Sequence, residues 1–216
     1  MTGHEEEVLI GAAGVTLAGH LTIPPQARGI VVFAHGSGSS RFSTRNRYVA
    51  EVIDQGGLAT LLFDLLTEDE GAVDEITREY RFDIPLLGER LVGTVDWLRS
   101  NPQTAALKIA LFGASTGAAA ALIAAAERPD AVAAVVSRGG RPDLARDHLA
   151  RVEAPTLLII GGLDGPVIAM NREAAAQLRC ERRIEIIPGA THLFGEPGKL
   201  EAVATLTRDW FVQQMG

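Results

Sequence analysis

Residues 110–121 read ALFGASTGAAAA, and this stretch decides the fold class. An apolar run ends at Gly113, and an alanine-rich run typical of a buried helix begins after Gly117. Between them Ser115 completes the pattern G-x-S-x-G, which is informative where a strand turns directly into a helix. The two glycines leave room for a tight, strained turn. The pattern favours a serine presented as a nucleophile, and the alternative is a glycine-rich turn with an incidental serine.

On both sides of this turn, short apolar runs alternate with helical patterns. The apolar runs predict strands at 8–10, 15–23, 29–34, 58–63, 108–112, 131–137, 156–160 and 183–187. The intervening patterns predict helices at 47–55, 88–99, 116–127, 142–149, 167–178 and 199–214. Fully apolar strands alternating with helices indicate an α/β fold, a doubly wound, mostly parallel sheet with helices on both faces. No repeat or composition break is visible, so we predict one domain over 1–216.

The composition narrows the class of protein. The chain is 47% hydrophobic but only 5% aromatic, so its core must consist mainly of aliphatic side chains. A net charge of −7 argues against nucleic acid or an anionic membrane as partner. The single cysteine, Cys180, excludes an internal disulfide and suits a reducing compartment. Neither a secretory signal nor a bilayer-spanning apolar run is visible, so we predict a cytoplasmic protein.

Two further side chains follow later predicted strands. Asp164 comes after the strand at 156–160, and His192 comes after the strand at 183–187. Reactive groups in such sheets gather in the loops beyond the carboxyl ends of the strands, so both should meet Ser115. The chain order Ser, Asp, His is the one that accompanies a G-x-S-x-G nucleophile. Singly, Asp164 suits a turn and His192 a surface position, but their joint placement favours a catalytic triad.

The loop after the first parallel strand, HGSGSS at 35–40, is a candidate for stabilising an oxyanion. Its glycines permit a close backbone approach, so we expect the N–H groups of Ser37 and Thr116 to form the oxyanion hole. His35 is expected to hold the loop in shape and not to act as the base. A phosphate-binding loop is the competing interpretation, but neither G-x-x-x-x-G-K-[ST] nor G-x-G-x-x-G is present.

Charged residues near these loops give weaker signals. Arg41 and Arg138 each follow a predicted strand and are candidates for binding a substrate carboxylate, with pairing to structural acids as the alternative. The acidic segment 64–83 reads as a solvated helix face with pairs such as Asp74 and Arg78, although it could border the pocket. The other histidines lack ligand-like spacing, so no metal site is expected.

Together these motifs resemble the α/β-hydrolase superfamily, and within it the dienelactone hydrolase-like branch. The resemblance rests on HGSGSS, LLFDLL, GASTG, IIGGLD and PGATH, which span nearly the whole chain in the superfamily's order. It implies acyl transfer to Ser115 and then to water. Only residues 138–155 occupy the region where lidded members insert a cap, so an open site is expected. Dienelactone hydrolases proper use a cysteine where this chain has Ser115, which favours a general carboxylic-ester hydrolase.

We therefore predict a serine hydrolase that cleaves small carboxylic esters through an acyl-enzyme intermediate. One alternative is a thioesterase, acyltransferase or perhydrolase that uses the same triad. Another is a non-catalytic ligand-binding protein with the same fold. The expected partner is a small-molecule ester, with no nucleic acid, membrane, cofactor or metal, and a homodimer is left open.

Overall fold

The computed structural model describes residues 4–216, and its centre is a sheet of eight strands. The strands are β1 His4–Ala12, β2 Val15–Ile23, β3 Gly29–Ala34, β4 Ala59–Phe63, β5 Lys108–Ala114, β6 Val132–Arg138, β7 Thr156–Gly161 and β8 Arg182–Ile187. Their order across the sheet is β1-β2-β4-β3-β5-β6-β7-β8. The β1–β2 and β2–β4 pairs are antiparallel, and the remaining neighbours are parallel. This sheet confirms the predicted α/β fold.

Helices cover both faces of the sheet. They are α1 Thr44–Gln55, α2 Glu68–Thr77, α3 Ile84–Ser100, α4 Thr116–Glu127, α5 Gly165–Gln177 and α6 Lys199–Met215. Helices α3, α4 and α5 contribute to one buried cluster, and α1 and α6 contribute to the other. Side chains alternate between the two clusters along β5, with Leu111 in the first and Phe112 in the second. Burial on both faces explains why the strands read as continuous apolar runs.

Helix α4 packs close to the sheet because its side chains are small. Every residue from Thr116 to Ala126 is buried, and most are alanine. A run of alanines has high helix propensity and lets the backbones approach, so the start of α4 is fixed against β5. The position of Ser115, immediately before this helix, is fixed with it.

Within residues 4–216, no cap domain covers the sheet. The connection between β6 and β7 contains only a 3₁₀ segment, Pro142–Arg151, where the sequence predicted an α-helix at 142–149. The segment is kinked at Arg146, which has a φ of 49°. The carboxyl edge of the sheet is therefore open to solvent, as predicted. Across residues 4–216, no helix combines the length and apolar character needed to span a membrane.

The acidic segment folds differently from the predicted pairing. Helix α2 ends at Thr77, and its cap residue, Arg78, leaves the helical conformation with a φ of 60°. Asp74 therefore does not pair with Arg78. Its carboxylate instead accepts hydrogen bonds from the Nε atom of Arg81 at 2.7 Å and from the backbone N–H of Tyr80 at 2.9 Å. The ion pair Asp74–Arg81 holds the chain after α2 against α2 itself.

Replacing Asp54 with asparagine is expected to stabilise the protein at pH 8 and to have little effect at pH 4. Burial between α1 and β4, with a smaller contribution from Glu51 and Glu5, raises the pKa of Asp54 to about 7. The folded state thus holds the proton more tightly than the unfolded chain, and stability falls as the pH rises from about 4 to 7. Asparagine keeps the acceptor for the Thr60 hydroxyl, 3.0 Å away.

The expected gain at pH 8 is roughly 1–2 kcal/mol in the free energy of unfolding, because partial solvent access reduces the cost of burying the ionised Asp54 carboxylate. Urea unfolding at both pH values measures it. Asp130→Asn, at an exposed position, is the control and should change stability equally little at either pH. An equal change for Asp54→Asn at the two pH values would contradict the assigned pKa.

Candidate active site

Ser115 occupies a strained turn between β5 and α4. Its φ of 52° and ψ of −122° lie in a region that residues with a side chain rarely adopt. Backbone hydrogen bonds hold this conformation: the N–H of Ser115 donates to the carbonyl of Arg138 at 3.2 Å, and its carbonyl accepts from the N–H of Arg141 at 3.0 Å. The Ser115 side chain is half-buried at the open edge of the sheet. This is the geometry of a nucleophile elbow.

The glycines on either side of Ser115 are required by backbone packing. A Cβ atom at Gly117 would lie 2.2 Å from the carbonyl oxygen of Ala34, and one at Gly113 would lie 2.4 Å from the Cα atom of Ala118. Neither contact can be relieved by rotating a side chain. Both glycines of G-x-S-x-G are therefore required, because a side chain at either position would collide with backbone atoms of a neighbouring element.

Asp164 and His192 are brought into contact by the loops after β7 and β8. The Nδ1 atom of His192 lies 2.6 Å from Oδ2 of Asp164. The Asp164 side chain is 15% exposed and that of His192 is 41% exposed, so the acid is covered while the imidazole faces solvent. The two loops pack closely because Gly161 has no side chain: a Cβ atom there would lie 2.5 Å from the carbonyl oxygen of Ala190. The contact between Asp164 and His192 orients the imidazole and favours a proton on Nδ1.

The loop after β6 connects this pair to Ser115. The carbonyl of Arg138 accepts the Ser115 N–H, and the next residue, Gly139, lies against the imidazole of His192. A Cβ atom at Gly139 would be 3.5 Å from both Nδ1 and Cε1 of that ring. Among residues 4–216 the Ser115 hydroxyl makes no hydrogen bond to His192. Such contacts often form only when substrate is bound.

The loop after β3 approaches Ser115 from the other side. A Cβ atom at Gly36 would lie 3.2 Å from the Cβ atom of Ser115. The Ser37 hydroxyl donates to the carbonyl of Arg81 at 3.0 Å, so it accepts a hydrogen bond from the Thr116 hydroxyl at 2.8 Å. The backbone N–H groups of Ser37 and Thr116 have no backbone acceptor within the described chain. The side chains of the two predicted oxyanion-hole residues are therefore in contact.

His35 shapes this loop from inside the protein. The N–H of Leu65 donates to its Nε2 atom at 3.1 Å, so the ring proton sits on Nδ1 and is shared with the carbonyl of Gly36, 2.9 Å away. Burial lowers the pKa of His35, which keeps the ring neutral. With both nitrogens occupied, His35 is unsuited to act as a base.

The two arginines predicted to bind substrate differ in their surroundings. Arg41 forms an ion pair with Asp64, and its backbone N–H also donates to that carboxylate at 2.7 Å. Its guanidinium stacks on Phe42, with 4.3 Å to the ring centroid. Arg41 thus forms a structural ion pair, but it also lines the cavity described below, so binding of a substrate carboxylate by Arg41 stays a prediction. Arg138 is buried, and its Nη1 atom has no hydrogen-bond partner in the described chain.

Two supporting residues were not found by sequence reasoning. The backbone carbonyl of Arg81 accepts a hydrogen bond from the Ser37 hydroxyl, and the guanidinium of Arg81 donates to the carboxylate of Asp74. The side-chain amide of Asn171, on α5, donates to the carbonyl of Gly140 at 3.0 Å and is fully buried. No local motif marks either residue, because each acts through a contact between distant parts of the chain.

A cavity of about 680 Å³ opens beside these loops. Its lining includes Ser37 and Thr116, together with Thr67, Asp74 and Arg81 from the acidic segment. Ser115, Asp164 and His192 are not part of the lining, so the cavity lies next to them and not over them. The acidic segment therefore borders the pocket, which was the alternative interpretation of its sequence.

The mostly parallel sheet, the open carboxyl edge and the serine at a strand-to-helix turn define an α/β hydrolase. The model of the dienelactone hydrolase family matches residues 17–211, and the chain belongs to that family. It is similar to the crystal structure of a dienelactone hydrolase from Anabaena variabilis, with 60% identity over 99% of both chains and a TM-score of 0.98. It also shares its fold with Est1E from Butyrivibrio proteoclasticus, at 18% identity over 96% of this chain and 98% of that one, with a TM-score of 0.80.

Curated relatives in two strains of Mycobacterium tuberculosis are named provisionally as phosphoribosyl transferases. They are 57% identical over 211 residues, which is 98% of this chain and 47% of theirs. The chain thus spans about half the length of the curated relatives it matches.

Proposed function

We propose that the protein cleaves small carboxylic esters through an acyl-enzyme intermediate on Ser115. The observation that carries this proposal is that the residues at the end of β6 touch both parts: the carbonyl of Arg138 accepts the N–H of the strained Ser115, and Gly139 lies against the imidazole of His192, whose Nδ1 atom is 2.6 Å from Asp164. A nucleophile, a base and an orienting acid are the parts that serine catalysis needs. Membership of the dienelactone hydrolase family supports hydrolysis as the reaction class.

In the proposed mechanism, the Oγ atom of Ser115 attacks the ester carbonyl as Nε2 of His192 removes its proton. The carboxylate of Asp164 holds Nδ1–H and stabilises the imidazolium that forms. The N–H groups of Ser37 and Thr116 bind the developing oxyanion. The bond to the alcohol then breaks, and the alcohol takes the proton from His192. Water attacks the acyl group with His192 as base, and the acid is released as the proton returns to Ser115.

The cavity beside Ser37 and Thr116 has the size to receive the part of a substrate that extends away from the ester. Thioesters, or acceptors other than water, would use the same residues. Trapping the acyl group with thiol, amine or peroxide in place of water separates these alternatives from simple hydrolysis.

The name of the Mycobacterium tuberculosis relatives raises phosphoribosyl transfer as a second candidate. This chain matches under half of those proteins. Its glycine-containing loop places Gly36 against Ser115, which suits acyl transfer at the serine. We therefore favour ester hydrolysis as the function of this chain.

Intact mass after exposure to a fluorophosphonate probe tests the proposal. We expect a single adduct that maps to Ser115 in the natural protein and forms far more slowly in His192→Ala. His148→Ala is the matched control, because this partly exposed histidine contacts the Ala145 carbonyl and not Asp164. Labelling of the control should equal that of the natural protein. Folded protein that takes up no probe would favour the non-catalytic binding protein.

A further inference from the structure

Residues 138–141, here called the bridge segment, hold the backbone of Ser115 at two points. The carbonyl of Arg138 accepts the Ser115 N–H at 3.2 Å, and the N–H of Arg141 donates to the Ser115 carbonyl at 3.0 Å. Ser115 has a φ of 52°, and such a strained conformation persists only where the surrounding structure holds it. The bridge segment therefore fixes the backbone from which the Ser115 hydroxyl projects.

The bridge segment also lies against the proposed base. Gly139 has a φ of 50°, and an added Cβ atom there would be 3.2 Å from the backbone oxygen of His192 and 3.5 Å from Nδ1 of its ring. The N–H of Gly139 donates to the carbonyl of Ile159 at 2.7 Å, which ties this point to β7. Because one short segment contacts both Ser115 and His192, any displacement of it changes the distance between the hydroxyl and the imidazole.

The middle of the bridge segment is tightly enclosed. A Cβ atom at Gly140 would lie 1.9 Å from Oγ of Ser137 and 2.5 Å from the Cβ atom of Ala118, and Gly140 itself is buried. A buried backbone carbonyl needs a hydrogen-bond donor from within the protein. Within residues 4–216, the donor to the Gly140 carbonyl is the side-chain amide of Asn171, 3.0 Å away.

Asn171 makes this contact from a rigid element. It is fully buried on α5, and its amide also donates to the carbonyl of Val167, one turn earlier in the helix, at 2.8 Å. The proposed acid, Asp164, immediately precedes the same helix, and its carbonyl accepts the N–H of Ile168 at 3.0 Å. Residues seven apart share one face of a helix and lie about 10 Å apart along its axis. Helix α5 therefore holds the acid and the Gly140 carbonyl at a set separation.

We propose that Asn171 is a positioning residue of the active site: by anchoring the Gly140 carbonyl, it sets the separation between the Ser115 hydroxyl and the imidazole of His192. This inference rests on the proposed ester hydrolysis and adds a residue on which the reaction depends. Asn171 lies beneath the site and acts through the bridge segment. It supplies neither a proton nor a contact to the substrate.

Two variants, Asn171→Leu and Asn171→Ser, test the inference. Leucine is close to asparagine in shape but donates no hydrogen bond, and serine can bond back to the carbonyl of Val167 but is too short to reach Gly140. Misplacement of reacting groups by about 1 Å costs on the order of 10²-fold in rate. We therefore expect kcat for a chromogenic short-chain ester to fall by about 10- to 100-fold in both variants, with KM changed by less than about twofold.

Thr104→Val is the matched control, because Thr104 is also fully buried and its hydroxyl donates to a backbone carbonyl, that of Leu98, at 2.8 Å. It precedes β5 and so lies at the opposite edge of the sheet from the bridge segment. This variant should lose stability and keep the kcat of the natural protein. Thermal unfolding of every variant, with assays well below each midpoint, separates loss of folded protein from loss of rate. If Asn171→Leu fails to fold, Asn171→Ser replaces it in each comparison.

A second comparison uses His192→Ala, which lacks the imidazole whose position Asn171 sets. In the natural background, Asn171→Leu should slow labelling of Ser115 by the fluorophosphonate roughly in parallel with kcat. In the His192→Ala background the same substitution should change the labelling rate by less than about twofold, because the effects of groups that act as a unit are not additive. Equal fold losses in the two backgrounds show that Asn171 acts independently of His192 and overturn the inference.

A kcat within about twofold of the natural value in both Asn171 variants, or a loss that Thr104→Val shares, also overturns the inference. Labelling of Ser115 in the natural protein alongside either result leaves the proposed ester hydrolysis standing. Absence of labelling in the folded natural protein overturns the proposed function and this inference with it.

Discussion

Replacing Ser115 with alanine is expected to lower kcat for ester hydrolysis by about 10³-fold or more. The change removes the only atom that can form the proposed acyl-enzyme, while the N–H groups of Ser37 and Thr116 keep their places. The backbone at position 115 is held by hydrogen bonds to Arg138 and Arg141, which alanine does not disturb. Initial rates with a chromogenic short-chain ester, measured alongside thermal unfolding, report activity and folding separately.

Ser43→Ala is a control for Ser115→Ala, because Ser43 caps helix α1 by accepting the N–H of Asn46 at 3.3 Å, six residues beyond Ser37 at the far end of the loop after β3. It should lose some stability, by about 1 kcal/mol, and little activity. Turnover by Ser115→Ala close to that of the natural protein, in a preparation free of contaminating esterase, would remove Ser115 from the mechanism.

Replacing Asp164 with asparagine is expected to lower kcat at neutral pH by about 10³- to 10⁴-fold, as such a substitution does in other serine hydrolases. The Asp164 carboxylate, 2.6 Å from Nδ1 of His192, requires a proton on that nitrogen. The amide of asparagine can donate instead of accept, and it would favour the tautomer with the proton on Nε2. The imidazole would then be unable to remove the proton from Ser115.

Steady-state kinetics of Asp164→Asn should therefore show a loss in kcat with a small change in KM. Asp209→Asn makes the same chemical change on α6, at an exposed pair with Arg208, and should retain full activity. Labelling of Ser115 by the fluorophosphonate should slow in parallel with turnover. A rate within tenfold of the natural enzyme would show that His192 does not depend on this acid.

The parts that could be predicted from the sequence are those encoded locally. The strand before Ser115 and the helix after it are a continuous apolar run and a run of alanines, and both were found close to their actual bounds. Asp164 and His192 could be placed because parallel strands bring their carboxyl ends to one edge. β1 was predicted too short, since Glu5, Glu6 and Glu7 have low strand propensity but pair along β2 nonetheless.

What could not be predicted depends on contacts between loops far apart in the chain. The choice of Arg81 over Arg78 as partner for Asp74 depends on where α2 ends, and a left-handed residue fixes that end. Likewise, Arg41 and Arg138 look alike in sequence, since each comes after a predicted strand. They differ because Asp64 lies beside the first, whereas the described chain offers no carboxylate to the second.

The turn at Ser115 has a consequence for how such a protein changes over evolutionary time. Its shape requires that Gly113 and Gly117 carry no side chain, because even a methyl group at either position would overlap the backbone of a neighbouring element. The residue at position 115, by contrast, carries one heavy atom beyond Cβ, and a sulfur atom can replace the oxygen at the same attachment. A lineage can exchange the attacking atom by a single substitution, whereas no single substitution replaces either glycine. The turn therefore tolerates a change of the reactive atom at position 115 more readily than a side chain at either glycine.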